Sequence, residues 1–153
     1  MRLGMIGYGA IGHAIVERLE AEGALSSLTG ILVRSDPVED PGIPVLRDLN
    51  GLLETAPDIV IEAAGHEAVH AFGAAILENG TDLVIAAVGA LADRDLARCL
   101  EKGQSGGGRA IIPPGAIAGL DGLIGARIAG LSEVVYTSYK PPHAWRGTPA
   151  EAV

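Results

Sequence analysis

Short apolar runs alternate with longer segments of helical periodicity along this 153-residue chain. The apolar runs are rich in Val, Ile and Leu, which is typical of strands buried on both faces. The predicted strands are Leu3–Ile6, Gly30–Arg34, Val45–Leu46, Asp58–Ala63, Leu83–Ala87, Ala110–Ile112 and Val134–Tyr139. The predicted helices are His13–Glu22, Asp48–Thr55, Glu67–Asn79, Ala92–Lys102 and Ile117–Ala129. Because helices separate the strands, the pattern predicts the α/β class, with right-handed crossovers and a doubly wound parallel sheet.

Local signals mark several ends of these elements. Asp48 is a candidate N-cap for the short second helix, and Asn79-Gly80 is a typical C-terminal signal for the third. The glycine run Ser105–Gly108 could join two domains, but predicted elements lie within a few residues on either side. We therefore expect it to be a flexible loop between a helix and a strand.

A glycine motif, G-Y-G-A-I-G at residues 7–12, follows the first predicted strand and opens the first helix. In this context Gly7 permits a tight turn, Gly9 leaves room for a pyrophosphate, and Gly12 allows close packing of the helix on the sheet. The helix N-terminus at Ala10 and Ile11 offers N–H groups and partial positive charge to phosphates. The alternative is a glycine-rich turn without a ligand. The motif favours a Rossmann-type domain that binds a dinucleotide through these residues.

Composition narrows the class of protein. Hydrophobic residues make up 48% of the chain and aromatic residues 3%, so the core must be aliphatic. A net charge of −8 argues against nucleic acid or an anionic membrane as a partner. The single cysteine, Cys99, excludes an internal disulfide and fits a reducing cytoplasm. We expect no signal peptide, membrane span or metal site, because no segment has the required pattern.

The end of the second predicted strand bears on which dinucleotide binds. An NAD site has an acidic residue there, about 20 residues past the glycine motif. Here Arg34 and Ser35 occupy that position. An arginine can stack on adenine and pair with a 2′-phosphate, and a serine hydroxyl can donate a further hydrogen bond. Asp36 could instead accept a ribose hydroxyl, and Arg34 could simply be solvated. We predict NADP as the cofactor, with NAD as the alternative.

Four further segments carry a resemblance to a known family: Glu62–His66, Ala87–Leu91, Pro114–Asp121 and Lys140–Pro149. With the glycine motif, they make the chain similar to L-aspartate dehydrogenases along its whole length. The resemblance implies an oxidoreductase that converts L-aspartate to iminoaspartate with NAD or NADP. It also implies the reverse reaction, from oxaloacetate and ammonia. Some members feed iminoaspartate into NAD biosynthesis.

The resemblance also implies a domain organisation and a site. Residues 1–115 would be the NAD(P)-binding domain, and residues 116–153 the start of a catalytic and oligomerisation domain. The implied cofactor-binding residues outside the glycine motif and strand two are Ala63, Ala64, Gly65, His66, Val88, Gly89 and Ala116. The family's catalytic histidine lies beyond Val153, so we expect mainly the cofactor half of a cytoplasmic homo-oligomer, ending early in its second domain.

His66 has two interpretations. It follows a strand at the ligand edge and could face the nicotinamide or substrate, or it could cap the next helix. Two other functions also stay open. One is another two-domain reductase, of the dihydrodipicolinate or homoserine type, against which Pro114–Asp121 argues. The other is a stand-alone NAD(P)H-binding sensor. In the isolated chain, Val134–Tyr139 is expected to expose apolar surface and to promote association.

Overall fold

The computed structural model describes residues 1–35, 41–114, 119–137, 139 and 141–146. The chain divides into two compact units, Met1–Gly115 and Ala116–Val153. Within the described residues, the sheet and four α-helices belong to the first unit, and one α-helix belongs to the second.

A six-stranded parallel sheet forms the first unit and confirms the predicted doubly wound fold. Its strands are β1 Leu3–Ile6, β2 Leu28–Leu32, β3 Val45–Leu46, β4 Ile59–Glu62, β5 Asp82–Ile85 and β6 Ala110–Ile111. Their order in the sheet is β3-β2-β1-β4-β5-β6, and every neighbouring pair is parallel. The strand order therefore reverses between β1 and β4, where ligands bind in sheets of this kind.

Helices connect the strands. They are α1 Ala10–Ala21, α2 Leu49–Glu54, α3 His66–Glu78, α4 Arg94–Gly103 and, in the second unit, α5 Leu120–Ile128. The predicted cap is confirmed, because the Asp48 carboxylate accepts a hydrogen bond from the Gly51 N–H at 2.9 Å. Asp93 caps α4 in the same way, and bonds from the N–H groups of Asp95 and Leu96 lower the pKa of its carboxyl.

Two apolar clusters cover the two faces of the sheet. Neighbouring positions of β1 alternate between them, since Met5 packs in one cluster and Ile6 in the other. The cluster around Ile6 holds buried residues of α3 and α4, whereas Val16 of α1 packs with Met5. This alternation explains why the strands carry apolar residues at nearly every position.

A charged pair joins β5 and β6 at their amino ends. The Asp82 carboxylate accepts hydrogen bonds from the Arg109 backbone N–H at 2.8 Å and from the Arg109 guanidinium. The side-chain hydrogen bonds from Arg109 lower the pKa of Asp82, and the same contact raises that of Arg109. This carboxylate lies at the edge of the sheet opposite the carboxyl ends of the strands.

The predicted flexible loop at Ser105–Gly108 does connect α4 to β6, but it is tightly packed. A Cβ added to Gly108 would lie 2.9 Å from both the Cα and the carbonyl oxygen of Leu77. Gly106 lies equally close to Glu78, where an added Cβ would be 2.5 Å from the Cα atom. Glycine is present here because backbone packs directly on backbone, and not because the loop must bend freely.

The prediction of a strand over Val134–Tyr139 is wrong for the residues that the structure describes there, 134–137 and 139. Val135 is 78% exposed and Tyr139 is 93% exposed. The alternating pattern is present, but a strand also needs a neighbour that accepts and donates the ladder hydrogen bonds. Within the described part of the chain, these residues pair with none. Their exposure matches the expectation of apolar surface, whereas association stays a prediction.

A membrane-spanning helix must be long and predominantly apolar, and the helices of the described residues are short. None of these helices is both long enough and apolar enough to cross a membrane.

Gly108→Ala tests the close packing of the α4–β6 loop. We expect it to lower the free energy of unfolding by about 2 kcal/mol, because the new methyl group overlaps the Leu77 backbone. Gly122→Ala in α5 is the matched control, since an added Cβ there meets no atom within 4 Å. Urea denaturation followed by circular dichroism measures both. Equal effects of the two substitutions would contradict the packing described here.

Candidate functional site

A cavity of about 580 Å³ lies in the first unit, at the carboxyl ends of β1, β2 and β4. These ends flank the point where the strand order reverses. The glycine motif at residues 7–12, here called the glycine loop, forms one wall and α3 forms another. Several residues predicted to bind the cofactor line the cavity: Gly7, Gly9, Arg34, Ser35, Ala63 and Ala64.

The three glycines of the glycine loop differ in the space that a side chain would find at each position. Gly7 has a φ of +93°, and a Cβ on it would lie 2.7 Å from the Ala63 carbonyl oxygen. Gly12 packs against the loop itself, with an added Cβ 2.8 Å from the Gly7 carbonyl oxygen. A Cβ on Gly9 would meet no atom within 4 Å. The first and third glycines therefore shape the fold, whereas the second leaves open space at the cavity wall.

The N-terminus of α1 begins at this open space, because Gly9 is both its N-cap and a cavity residue. Among the α-helices that the structure describes, only α1 has no carboxylate at its N-cap or in its first turn. Asp48 and Asp93 cap α2 and α4, and Glu67 and Asp121 lie in the first turns of α3 and α5. The positive end of the α1 dipole thus has no side chain of its own to compete with an anionic ligand.

Two arginines converge beyond β2, at one end of the cavity. Arg34 and Ser35 follow the strand, as predicted, and Arg47 joins them from the end of β3. The Arg47 guanidinium lies 3.5 Å from the Val33 carbonyl oxygen, and that of Arg34 lies 3.2 Å from the Glu67 carboxylate. The cavity therefore combines guanidinium donors and helix N–H groups with apolar walls, which is a suitable environment for a phosphorylated aromatic ligand.

Several cavity residues were not predicted as ligand-binding residues, among them Arg47, Tyr8 and His13. Arg47 could have been found, because β3 was predicted and lies beside β2 in this strand order. Tyr8 and His13 line the cavity with their rings stacked, 3.9 Å between centroids. Their pairing results from the turn between β1 and α1, so no local pattern indicates it.

A buried carboxylate ties together the loops that follow β4 and β5. Glu62 is 1% exposed, and its Oε1 accepts hydrogen bonds from the N–H groups of Ala64 at 2.8 Å and Gly65 at 2.7 Å. Its Oε2 accepts one from the Ala87 N–H at 3.0 Å. Glu62 was expected only as part of a family segment, and its role as a triple acceptor follows from the tertiary structure.

The same two loops meet a second time through His66. Its imidazole lies against Gly89, where an added Cβ would be 2.7 Å from His66 Nε2. The interpretation of His66 as a helix cap is wrong, since α3 begins at this residue and its N-cap is Gly65 without a side-chain bond. His66 and the exposed Val88–Gly89 lie next to the cavity but do not line it. Their contact with a cofactor stays a prediction.

Other predicted residues do not line the cavity or lie outside the described residues. Ala10 and Ile11 contribute side chains to an apolar hollow on α1, away from the cavity, so only their backbone N–H groups could meet a ligand there. Ala116 and Asp36 lie outside the described residues. In the described part of the chain, no group of three or more His, Cys, Asp or Glu residues could hold a metal ion.

Known proteins resemble this chain in sequence and in structure. An L-aspartate dehydrogenase from Polaromonas sp. is 40% identical over 100% of this chain and 60% of the relative. That of Ralstonia nicotianae is 38% identical over 99% and 59%, respectively. The solved aspartate dehydrogenase of Thermotoga maritima has a TM-score of 0.64 at 24% identity, covering 87% of this chain and 60% of that chain. The chain spans about 60% of the length of the curated relatives it matches.

A domain family also matches most of the chain. Residues 7–114 match the family model described as "Homoserine dehydrogenase, NAD binding domain". This range contains the glycine loop, every cavity residue except Ile6, and both loops held by Glu62. The match confirms the prediction of NAD or NADP as the dinucleotide. The chain therefore belongs to the family of homoserine dehydrogenase NAD-binding domains.

Proposed function

We propose that this chain is the cofactor-binding part of an NAD(P)-dependent L-aspartate dehydrogenase. The observation that carries the cofactor role is the cavity at the reversal of strand order, with open space over Gly9 at the α1 N-terminus. The choice of L-aspartate is supported by relatives of that name, at 40% and 35% identity among others. The product would be iminoaspartate, which hydrolyses to oxaloacetate and ammonia.

The proposal includes the arrangement of domains. We assign residues 1–115 to cofactor binding and residues 116–153 to the beginning of a substrate and oligomerisation domain, which the division into two compact units supports. Ala116 would contact the cofactor, and a catalytic histidine would be supplied from beyond Val153. The complete enzyme would be a homo-oligomer in the cytoplasm.

Within this proposal, the described residues bind and orient the cofactor. When bound, the nicotinamide supplies the chemistry by accepting a hydride from the substrate α-carbon. The N–H groups at the start of α1 would hold the diphosphate, and Gly9 would let it approach the backbone. Arg34 and Arg47 would hold the 2′-phosphate at the adenosine end. The apolar wall of α3, including Ala68 and Phe72, would exclude water from the adenine.

We further propose that NADP is preferred to NAD. Arg34, Ser35 and Arg47 lie beyond β2, where the adenosine ribose lies in this fold. The ion pair between Arg34 and Glu67 is 92% and 89% exposed, so water and salt screen it strongly. A doubly charged 2′-phosphate would therefore displace the Glu67 carboxylate from Arg34.

L-Aspartate oxidation tests the proposed reaction. We expect the protein isolated from its native cells to reduce NADP⁺ with L-aspartate, followed by the absorbance of reduced nicotinamide. L-Homoserine is the control substrate, because the matching family model carries the name of homoserine dehydrogenase. Reduction with L-homoserine and none with L-aspartate would contradict the proposal and favour the homoserine-type reaction.

Arginine substitutions test the proposed preference for NADP. Arg34→Ala and Arg47→Ala should each weaken NADPH binding by roughly tenfold or more, because each removes a charge-assisted hydrogen bond to the 2′-phosphate. NADH affinity should change by less than about twofold, since NADH lacks that group. Arg18→Ala is the control for lost charge, because Arg18 pairs with Glu22 on α1. Equal losses for NADPH and NADH, measured by calorimetry, would contradict this assignment.

Filling the space over Gly9 tests the phosphate cradle. Gly9→Val should leave the melting temperature nearly unchanged, because φ is −91° and an added Cβ meets no atom within 4 Å. It should weaken both NADH and NADPH by about 100-fold, as the side chain occupies the diphosphate position. Ala14→Val, which adds bulk on the exposed face of α1, should affect neither ligand. Normal binding by Gly9→Val would place the diphosphate elsewhere.

A further inference from the structure

We propose that Glu62 is a positioning residue that holds the loops after β4 and β5 in the relation needed by the nicotinamide half of the cofactor. The proposal rests on the proposed binding of NAD(P) in the cavity. It concerns hydrogen bonds at the ends of β4 and β5, on the other side of β1 from Arg34 and Arg47, so the two halves of the cofactor can be tested separately.

The hydrogen bonds of Glu62 connect two loops that are distant in sequence. Ala64 and Gly65 belong to the loop before α3, and Ala87 follows β5. The backbone adds one direct bond between the strands' ends, from the Ala86 N–H to the Glu62 carbonyl oxygen at 3.2 Å. The three side-chain bonds therefore extend the coupling of β4 and β5 past the end of the sheet.

Because Glu62 is buried, its carboxylate oxygens depend on these hydrogen bonds. A buried carboxylate is costly unless its oxygens are fully hydrogen-bonded, and losing one partner leaves a buried group unsatisfied. Within the described part of the chain, Glu62 forms no ion pair, so backbone N–H groups are its compensation. The distinguishing property of Glu62 is that it accepts from both loops at once.

The loops lie on the side of the sheet where the second half of a dinucleotide is expected. Arg34 marks the adenosine side beyond β2, and the glycine loop follows β1 at the centre. A ligand that crosses the strand reversal from Arg34 therefore reaches the ends of β4 and then β5. Gly7 packs on Ala63, so the phosphate-binding loop rests on the first loop that Glu62 holds. A shift of the loops would move the nicotinamide contacts without moving Arg34.

Two substitutions remove the connection in different ways. Glu62→Gln keeps the size of the side chain but replaces one acceptor oxygen with an NH₂ donor, which faces a backbone N–H on either loop. Ala87→Pro removes only the third donor, and its φ of −79° lies within the range of proline. Asp82→Asn is the matched control, because Asp82 is a hydrogen-bonded carboxylate at the opposite end of β5.

Binding of two ligands to the 153-residue chain separates positioning from stability. NADPH and 2′-phospho-ADP-ribose share every group except the nicotinamide. Glu62→Gln and Ala87→Pro should each weaken NADPH by about tenfold, while 2′-phospho-ADP-ribose changes by less than about twofold. Asp82→Asn should lower the melting temperature without this selectivity. Equal losses for both ligands, or the same pattern in Asp82→Asn, would overturn the proposal. If Glu62→Gln does not fold, Ala87→Pro decides.

Amide hydrogen exchange gives a readout that needs no ligand. The N–H groups of Ala64, Gly65 and Ala87 should be protected in the unmodified chain and should exchange at least about tenfold faster in Glu62→Gln. Asp82→Asn should leave them protected. Fast exchange in the unmodified chain would overturn the positioning role. A chain that binds neither ligand but protects these amides would contradict the cofactor proposal and retain the holding of the loops by Glu62.

Discussion

The close approach of two backbone turns at the centre of the sheet is the constraint on which the site depends. The loop after β1 and the loop after β4 meet where Gly7 packs on Ala63, at a distance that leaves no room for a side chain. Gly12 then packs on Gly7, which sets α1 against the sheet. Because these contacts join backbone to backbone, they fix the position of the α1 N-terminus to within the tolerance of van der Waals packing. The open space over Gly9 is the result.

The electrostatic environment of the cavity is positive, opposite in sign to the net charge of the chain. The chain carries a net charge of −8, yet its cavity combines a helix N-terminus with Arg34 and Arg47. Carboxylates occupy the first turns or caps of the other described α-helices. Glu62 likewise uses up the free N–H groups of the loop that precedes α3. The distribution of carboxylates thus leaves α1 as the helix best suited to a phosphate.

The fold of the first unit is shared by dehydrogenases with different substrates. The solved aspartate dehydrogenase and the homoserine dehydrogenase of S. aureus have TM-scores of 0.64 and 0.59 at 24% and 21% identity. A shared fold does not decide the substrate, because the choice of substrate depends on residues grafted onto that scaffold. The family membership of residues 7–114 therefore defines the cofactor, and L-aspartate remains a proposal to be tested on the protein itself.

Features that depend on neighbouring residues could be predicted from the sequence. Periodicity indicates the order of strands and helices, the glycine spacing indicates the turn into α1, and Asp48 has the position of a helix cap. Features that join distant segments are visible only in the folded chain. The loop at Gly108 is tightly packed against Leu77, and the alternating residues around Val135 have no partner strand among the residues that the structure describes. Three other features are likewise visible only in the folded chain: the position of Arg47, the Tyr8–His13 stack and the hydrogen bonds of Glu62. A local sequence pattern indicates which secondary structure a segment can form. These contacts depend instead on which other segments the fold brings close to it.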